Sequence, residues 1–273
     1  MRIEKWYLDS VTPDGAGVVA YTARVNFGPF ALQCSEVLEW PSGGPSAGSR
    51  VALGGPLPTA APDEIRWQNR ALHFEGKWQP GQSGIPPVAL YEQPAGGISW
   101  TCLCSAGQTT VKIGGDRRDG LGYAERLVLN LSPGRLPIGE LRWGRFIAAE
   151  HSFIWIRWQG PVQGNWCFHD GRRVEAEMPD LHLLTWPGHQ LRLDHGIVIR
   201  SGRIAETAFK GAGLLRWLLP ASVRNLQEIK WCSPGILTSA DGRQHHGWSI
   251  HEVVVFPSAR EPALPQRSLR RLR

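Results

Sequence analysis

Apolar residues along the chain recur mostly at every second position or in short uninterrupted runs, and both patterns are typical of β-strands. Residues 153–158 are apolar on both faces, which predicts a central strand covered on both sides or a barrel strand whose inner face lines a cavity. The predicted strands span residues 6–8, 17–25, 30–39, 64–67, 71–75, 97–104, 123–131, 140–146, 152–158, 166–169, 182–186, 190–193, 196–200, 227–232 and 248–256.

Turn formers separate these strands, and a helical pattern occurs only at residues 212–219, before Pro220. Because helices do not alternate with the predicted strands, the fold class is all-β and antiparallel, built as a sandwich or a barrel. The stretches 41–62 and 76–87 are rich in proline and glycine and are predicted to be long loops. We expect an N-terminal domain over residues 1–140, a C-terminal domain over 141–258 and a basic, disordered tail over 259–273.

Composition excludes several classes of protein. The chain has 273 residues, of which 42% are hydrophobic and 20% are charged, so it can bury a core and is not intrinsically disordered. The net charge is +6, but four arginines lie within residues 267–273, which leaves the folded body nearly neutral. This distribution disfavours nucleic-acid binding, and it predicts a tail that is solvated or weakly attracted to an anionic membrane surface.

The chain shows no secretion signal and no apolar run long enough to span a bilayer, so we expect a reduced, cytoplasmic protein, in part membrane-peripheral through the tail. The thirteen tryptophans indicate broad flat surfaces that their aromatic rings cover.

His245, His246 and His251 lie close in sequence, but their spacing fits no zinc motif, and no metal site is expected. His251 lies within a predicted strand, either as a satisfied polar group of the core or as a hydrogen-bond donor lining a cavity.

The segment Asp119-Gly-Leu-Gly-Tyr-Ala-Glu125 carries the most chemical information. Its two glycines permit a close approach of the backbone, and Tyr123 and Glu125 then project from the same face of a strand. If that face is internal, the carboxyl group of Glu125 lies beside a phenol in apolar surroundings and can serve as a proton donor. The alternative is a salt bridge between strands, with Arg142, Arg145 or Arg157 as the partner of Glu125.

Several segments together resemble the superfamily of carotenoid 1,2-hydratase (hydroxyneurosporene synthase), which includes tocopherol-cyclase-like proteins and lipocalin-like Diels–Alderases. The resemblance rests on the order and spacing of the motifs, since no single one is specific. They are Trp6-Tyr-Leu-Asp-Ser-Val-Thr-Pro-Asp-Gly15, Gly120-x-Gly-Tyr-x-Glu125, Leu141-Arg-Trp-Gly-Arg145, Phe153-Ile-Trp-Ile-Arg-Trp158 and Gly247-Trp-Ser-Ile-His-Glu252.

The resemblance implies two lipocalin-like β domains in tandem, a long hydrophobic isoprenoid or polyene substrate held between or within them, and no cofactor or metal. The family pattern has an aspartate, commonly followed by histidine, where this chain has Glu125-Arg126. The resemblance therefore implies that Glu125, with Tyr123 beside it, protonates a carbon–carbon double bond, and that the resulting cation leads to hydration, cyclisation or isomerisation.

Aromatic side chains can stabilise such a cation through their π-faces. The residues expected to contact the substrate are Trp143, Trp155, Trp158, Trp248 and His251, although each tryptophan could instead fill a β core. The alternative function is that of a non-catalytic, lipocalin-like carrier of a lipophilic ligand. We expect Glu125 to face an apolar cavity and to carry a proton at neutral pH.

Overall fold

The computed structural model describes residues 1–44, 48–81, 84–131, 136–207 and 225–256, and these residues form antiparallel β-structure with very little helix. The strands are β1 (Arg2–Val11), β2 (Gly17–Phe27), β3 (Phe30–Trp40), β4 (Gly48–Leu53), β5 (Thr59–Ala61), β6 (Glu64–Asn69), β7 (Phe74–Pro80), β8 (Ile85–Gln93), β9 (Gly96–Ile113), β10 (Asp116–Leu129), β11 (Glu140–Ala148), β12 (Ser152–Gln159), β13 (Gly164–His169), β14 (Arg172–Val174), β15 (Leu183–Trp186), β16 (His189–Leu193), β17 (Ile197–Arg203), β18 (Gln227–Thr238) and β19 (Gln244–Val255). A 3-10 turn covers Arg70–Leu72, and a single α-helical turn, α1, covers Ile204–Thr207. The predicted all-β, antiparallel fold class is confirmed.

The strands form two sheets that divide the chain in sequence order. The first sheet runs β4-β3-β2-β1-β10-β9-β7-β6-β5, with β8 also paired to β9. The second sheet runs β14-β13-β12-β11-β19-β18-β16-β15, with β17 also paired to β18. In each sheet the first strand in sequence pairs with the last one, since β1 pairs with β10 and β11 pairs with β19. The predicted domain bounds at residues 140 and 258 stay predictions.

Each sheet buries one face in a core of its own and the other against its neighbour. The first core includes Trp6, Leu8, Trp67, Phe74 and Trp78 from the first sheet. The second core includes Phe146, Phe153, Trp155, Trp186 and Leu191 from the second sheet. A central core joins both sheets and includes Tyr7, Trp100, Tyr123, Trp143 and Trp158.

Alternation along the strands explains this layering. In strand β12, side chains on both faces are buried, as the sequence pattern predicted. Phe153 and Trp155 lie in the second core, whereas Ile154, Ile156 and Trp158 lie in the central core. The prediction of a strand covered on both sides is confirmed.

The tryptophan and glycine content has a common structural cause. Several indole rings lie directly against a glycine, where a Cβ atom would overlap the ring. These pairs are Trp40 with Gly17, Trp78 with Gly76, Trp155 with Gly144, Trp166 with Gly164, and Trp248 with Gly15. The wide rings thus cover backbone that has no side chain at the glycine positions. This agrees with the flat surfaces that the tryptophan content indicated.

Several sequence predictions need correction. The loops predicted at 41–62 and 76–87 contain β4, β5, part of β7 and the start of β8. Strands β4, β5 and β8 lack clear alternation because they are short or have many exposed residues. The strand predicted at 71–75 begins instead in the 3-10 turn, where the Asn69 side chain accepts hydrogen bonds from two backbone N–H groups.

The predicted helix at 212–219 and the predicted tail at 259–273 lie outside the described residues. Within the residues that the structure describes, no helix has the length and apolar character needed to cross a bilayer.

Candidate functional site

Glu125 lies on β10, opposite Tyr7 of β1, on the face that meets the second sheet. The register of β10 against β9 shifts on both sides of Ala124, and such an irregularity re-aims the side chains that follow it. Gly122, just before it, approaches β1 so closely that a Cβ atom there would overlap the carbonyl oxygen of Asp9. The close backbone approach predicted from the glycines is therefore present.

Three hydrogen-bond donors converge on one oxygen of Glu125. Its Oε2 accepts from Trp100 Nε1 at 2.5 Å, from the Tyr123 hydroxyl at 2.6 Å and from Trp143 Nε1 at 3.3 Å. Trp143 belongs to the second sheet, so the carboxyl group is enclosed by residues of both sheets, and Glu125 is only 7% exposed. Because Oε2 is occupied as an acceptor, a proton on this carboxyl group would be carried by Oε1.

The surroundings of Glu125 are aromatic. Tyr7 lies edge-on to Trp143 and Tyr123, with ring centroids 4.7 and 5.9 Å apart, and Tyr123 lies 5.8 Å from Trp143. Burial is the main reason, and the neighbouring Glu125 the second, why the pKa of Tyr123 is raised well above its usual value. The phenol therefore stays protonated and donates to the carboxyl group.

Among the residues that the structure describes, Glu125 does not form the salt bridge considered as its alternative role. Arg142 pairs with Glu140, Arg145 pairs with Asp9, and Arg157 donates to the Met178 carbonyl. The hydrogen-bond partners described for Glu125 are two indoles and a phenol, which are neutral donors.

An ion pair fixes the two sheets against each other beside this site. The Arg145 guanidinium donates from Nη2 to Asp9 Oδ1 at 2.7 Å and from Nε to Oδ2 at 3.0 Å. Its Nη1 also donates to the Trp248 carbonyl at 2.7 Å. Both charged side chains are almost completely buried, and burial raises the pKa of Asp9 although Arg145 opposes the shift. Sequence reasoning treated Arg145 only as a partner for Glu125 and missed Asp9.

A second buried cation, Lys230 on β18, adjoins the same aromatic rings. Its ammonium lies 5.4 Å from the ring centre of Tyr7 and 5.5 Å from that of Trp143. It pairs with Glu252 and, at 3.3 Å, with Glu228. Burial would lower the pKa of Lys230, but these carboxylates raise it above its usual value, so the side chain is charged.

The charged network continues into the first sheet. Arg200 of β17 donates to Glu36 of β3 at 2.5 Å and lies 3.8 Å from Glu228. The Tyr21 hydroxyl is buried near these charges and has no hydrogen-bond partner among the described residues. The interface therefore combines paired charges with aromatic faces, a combination that no local sequence signal marks.

Trp143 is the predicted substrate-contacting residue that the structure places beside Glu125. Trp158 belongs to the central core and borders an open surface depression of about 550 Å³ at the β12–β13 hairpin. Trp248 packs against the central core at the edge where Gly15 approaches it, and its Nε1 donates to the Pro13 carbonyl.

Trp155 and His251 lie on a different face of the second sheet. Trp155 is part of the second core, and its ring centre is 6.3 Å from that of His251. Gly144 makes this contact possible, because a Cβ atom there would overlap the Trp155 ring and crowd His251. His251 also hydrogen-bonds Ser233 at 3.0 Å. Burial, with His182 and Lys230, lowers the pKa of His251 to about 3, so it is a neutral core imidazole at pH 7.

Groups of side chains with the spacing of metal ligands occur around His151 among the described residues, and neither of them includes Glu125. The Glu125 site itself offers one carboxyl group surrounded by indole and phenol donors, which is a poor ligand set for a metal ion.

Three solved structures share this architecture. CghA superposes with a TM-score of 0.61 and 11% identity, covering 95% of this chain and 90% of that chain. A protein from Nitrosomonas europaea assigned as AttH gives a TM-score of 0.57 at 10% identity, with 92% of each chain covered. Kievitone hydratase from Nectria haematococca gives 0.54 at 10% identity, covering 93% of this chain and 88% of that chain.

The chain has the fold of these proteins. The fold that the family resemblance implied is thus confirmed. No protein-family model matches the sequence, and no curated protein matches it. At these identities the similarity describes the architecture, so the function has to be argued from the residues of the site.

Proposed function

We propose that this protein is a cofactor-independent enzyme of the hydratase, cyclase or isomerase type that protonates a carbon–carbon double bond of a hydrophobic isoprenoid or polyene substrate. The observation that carries the proposal is the enclosure of Glu125 between the two sheets, with three neutral donors on its Oε2. Kievitone hydratase, whose fold is similar, is by its name a hydratase.

The arrangement supports general-acid chemistry. A proton carried on Oε1 of Glu125 would pass to the alkene carbon, and the carboxylate left behind would keep its three hydrogen bonds on Oε2. Hydrogen bonds to a carboxylate favour its charged form, so the Trp100, Tyr123 and Trp143 donors would stabilise the product of proton transfer.

The carbocation formed in this step needs stabilisation without a nucleophile close by. The aromatic rings around Glu125 would attract this positive charge through their π-faces. The nearby Lys230 ammonium is paired with Glu228 and Glu252, which offsets its repulsion of the cation. Capture of the cation by water gives a hydratase, capture by an internal hydroxyl or alkene gives a cyclase, and loss of a different proton gives an isomerase.

Isotope labelling tests the proposal and separates these outcomes. The protein is incubated with acyclic isoprenoid polyenes of increasing length in D₂O and, separately, in H₂¹⁸O, and the products are analysed by mass spectrometry. We expect one deuteron at carbon in the product, together with ¹⁸O if the reaction is a hydration.

The variant Glu125→Gln keeps the shape of the side chain but removes the transferable proton, so turnover should fall at least about 10²-fold while polyene binding persists. Glu75→Gln, at an exposed position of the first sheet, is the matched control and should retain full turnover. Turnover of Glu125→Gln close to that of the wild type would contradict the acid role. Binding of polyenes by the wild type without deuterium incorporation would instead assign the function of a lipophilic carrier.

A further inference from the structure

Histidines that are far apart in sequence meet at one end of the second sheet. The hairpins β11–β12, β13–β14, β15–β16 and β18–β19 all turn at this end, as the strand registers require. Neighbouring imidazole centres are 4.2 Å apart for His245 and His151, 5.6 Å for His151 and His169, and 4.7 Å for His169 and His189. The Glu125 chemistry uses none of them.

Asp170 sits between two of these imidazoles. Its Oδ2 is hydrogen-bonded to His151 Nδ1 at 2.9 Å and lies 3.5 Å from His169 Nε2. Its other oxygen, Oδ1, accepts a hydrogen bond from the Ser152 backbone N–H at 2.7 Å, which orients the carboxylate. Asp170 has a φ of +48° in the tight turn Asp170-Gly171, a backbone conformation that aspartate tolerates better than most residues.

One nitrogen of His169 makes no hydrogen bond to any described residue. Its Nε2 is buried and makes no hydrogen bond among the described residues, although it faces Asp170 Oδ2. Tetrahedral zinc sites have bonds of about 2.0–2.2 Å to nitrogen and oxygen, which places neighbouring ligand atoms about 3.3–3.5 Å apart. The separation of 3.5 Å between His169 Nε2 and Asp170 Oδ2 matches this spacing without a hydrogen bond to account for it.

We propose that this end of the second sheet binds a divalent transition-metal ion of the zinc type, with His151, His169 and Asp170 as its ligands. The ligand atoms of these three residues lie within 4.8 Å of one another. Two imidazoles and one carboxylate favour Zn²⁺, Co²⁺ or Ni²⁺ over Mg²⁺ or Ca²⁺. The ion would tie the β11–β12 hairpin to the β13–β14 hairpin.

Glu150 and His245 form a second group with the same His151 imidazole. The sequence argument rejected a metal site because it considered His245 together with His246 and His251. The structure separates these three residues and brings His245 to His151 instead. The proposed ligands come from two hairpins, so no local spacing motif could reveal them.

Titration of the tag-free, chelator-stripped protein tests the site. We expect one equivalent of ZnCl₂ to bind by calorimetry, CoCl₂ to give the visible absorption of a nitrogen- and oxygen-ligated ion, and MgCl₂ not to bind. Because the metal would bind only the folded state, zinc at about 100-fold excess over its dissociation constant should raise the melting temperature by about 5 °C or more.

Matched variants connect binding to the proposed ligands. His169→Gln and Asp170→Asn should each weaken zinc binding at least about tenfold. Asn suits a left-handed turn position, and its oxygen can still accept from Ser152, so Asp170→Asn separates loss of a ligand from loss of the fold. His246→Gln, next to His245 but exposed, should bind zinc like the wild type.

Absence of stoichiometric binding to the wild type would overturn the proposal, as would equal zinc affinity of the wild type and both ligand variants. Neither result bears on the Glu125 assay, which follows deuterium incorporation.

Discussion

The first core and the interface between the sheets are built from alternate residues of the same strands, yet they differ in chemistry. On β1, Trp6 and Leu8 face an apolar core, whereas Tyr7 and Asp9 face the second sheet. The buried aspartate, glutamate, arginine and lysine side chains among the described residues all belong to the interface. They are Asp9, Glu36, Glu125, Arg145, Arg200, Glu228 and Lys230. The apolar cores stabilise each sheet, and the interface holds the paired charges and the candidate acid.

Removing one member of the buried ion pair is expected to have the largest effect on stability. Arg145→Met leaves Asp9 buried without its countercharge, which should cost about 3–5 kcal/mol of the free energy of unfolding. Urea denaturation measures this loss. The double variant Asp9→Leu/Arg145→Met should recover much of it, because no unpaired charge remains. Equal losses in the single and double variants would show that the pair contributes packing alone.

A truncation in the first core should destabilise the protein without touching the site. Ile65→Ala, at a side chain only 1% exposed, should cost about 2–4 kcal/mol through lost burial and the cavity that remains. Turnover per folded molecule should match the wild type, measured well below the melting temperature. A loss of turnover would show that the first core and the interface do not act separately.

The buried imidazole of His251 predicts that the stability of the protein depends on pH. Its pKa is about 3 in the folded protein and about 6.5 in the unfolded chain, so the unfolded state binds more protons between these values. Stability should therefore fall on acidification from about pH 6.5 towards pH 3, by up to about 1.4 kcal/mol per pH unit from this residue.

Urea denaturation at a series of pH values measures this slope. The variant His251→Gln should show a shallower dependence, whereas His246→Gln, at an exposed position, should follow the wild type. Parallel slopes in His251→Gln and the wild type would mean that His251 is not the residue responsible.

The smallest effect is expected at a partly exposed ion pair. Arg142 donates to Glu140 at 2.6 Å, with about a quarter of each side chain exposed. Because solvent screens such pairs, Arg142→Gln should change stability by less than about 1 kcal/mol in thermal unfolding. If Arg142→Gln lost as much free energy of unfolding as Arg145→Met, charges at the interface and at the surface would not differ in their contribution to stability.

Sequence periodicity was sufficient to predict the all-β fold, because buried strands such as β12 carry a strong apolar signal. It failed for β4 and β5, whose exposed or half-buried residues show little contrast between their faces. Tyr123 and Glu125 could be placed on one face because they are two residues apart. Trp100 and Trp143 could not be predicted as hydrogen-bond donors to Glu125. The three residues lie on three different strands, and local sequence does not specify how strands pair.

The separation of the chain into two successive sheets bears on how the protein is made. Strands β1–β10 end at Leu129, so the first sheet can form on the ribosome before most of the second has been translated. During that interval the face carrying Tyr7, Asp9 and Glu125 meets water instead of the second sheet. Asp9 lacks its countercharge until Arg145 of β11 has been added and forms the buried ion pair.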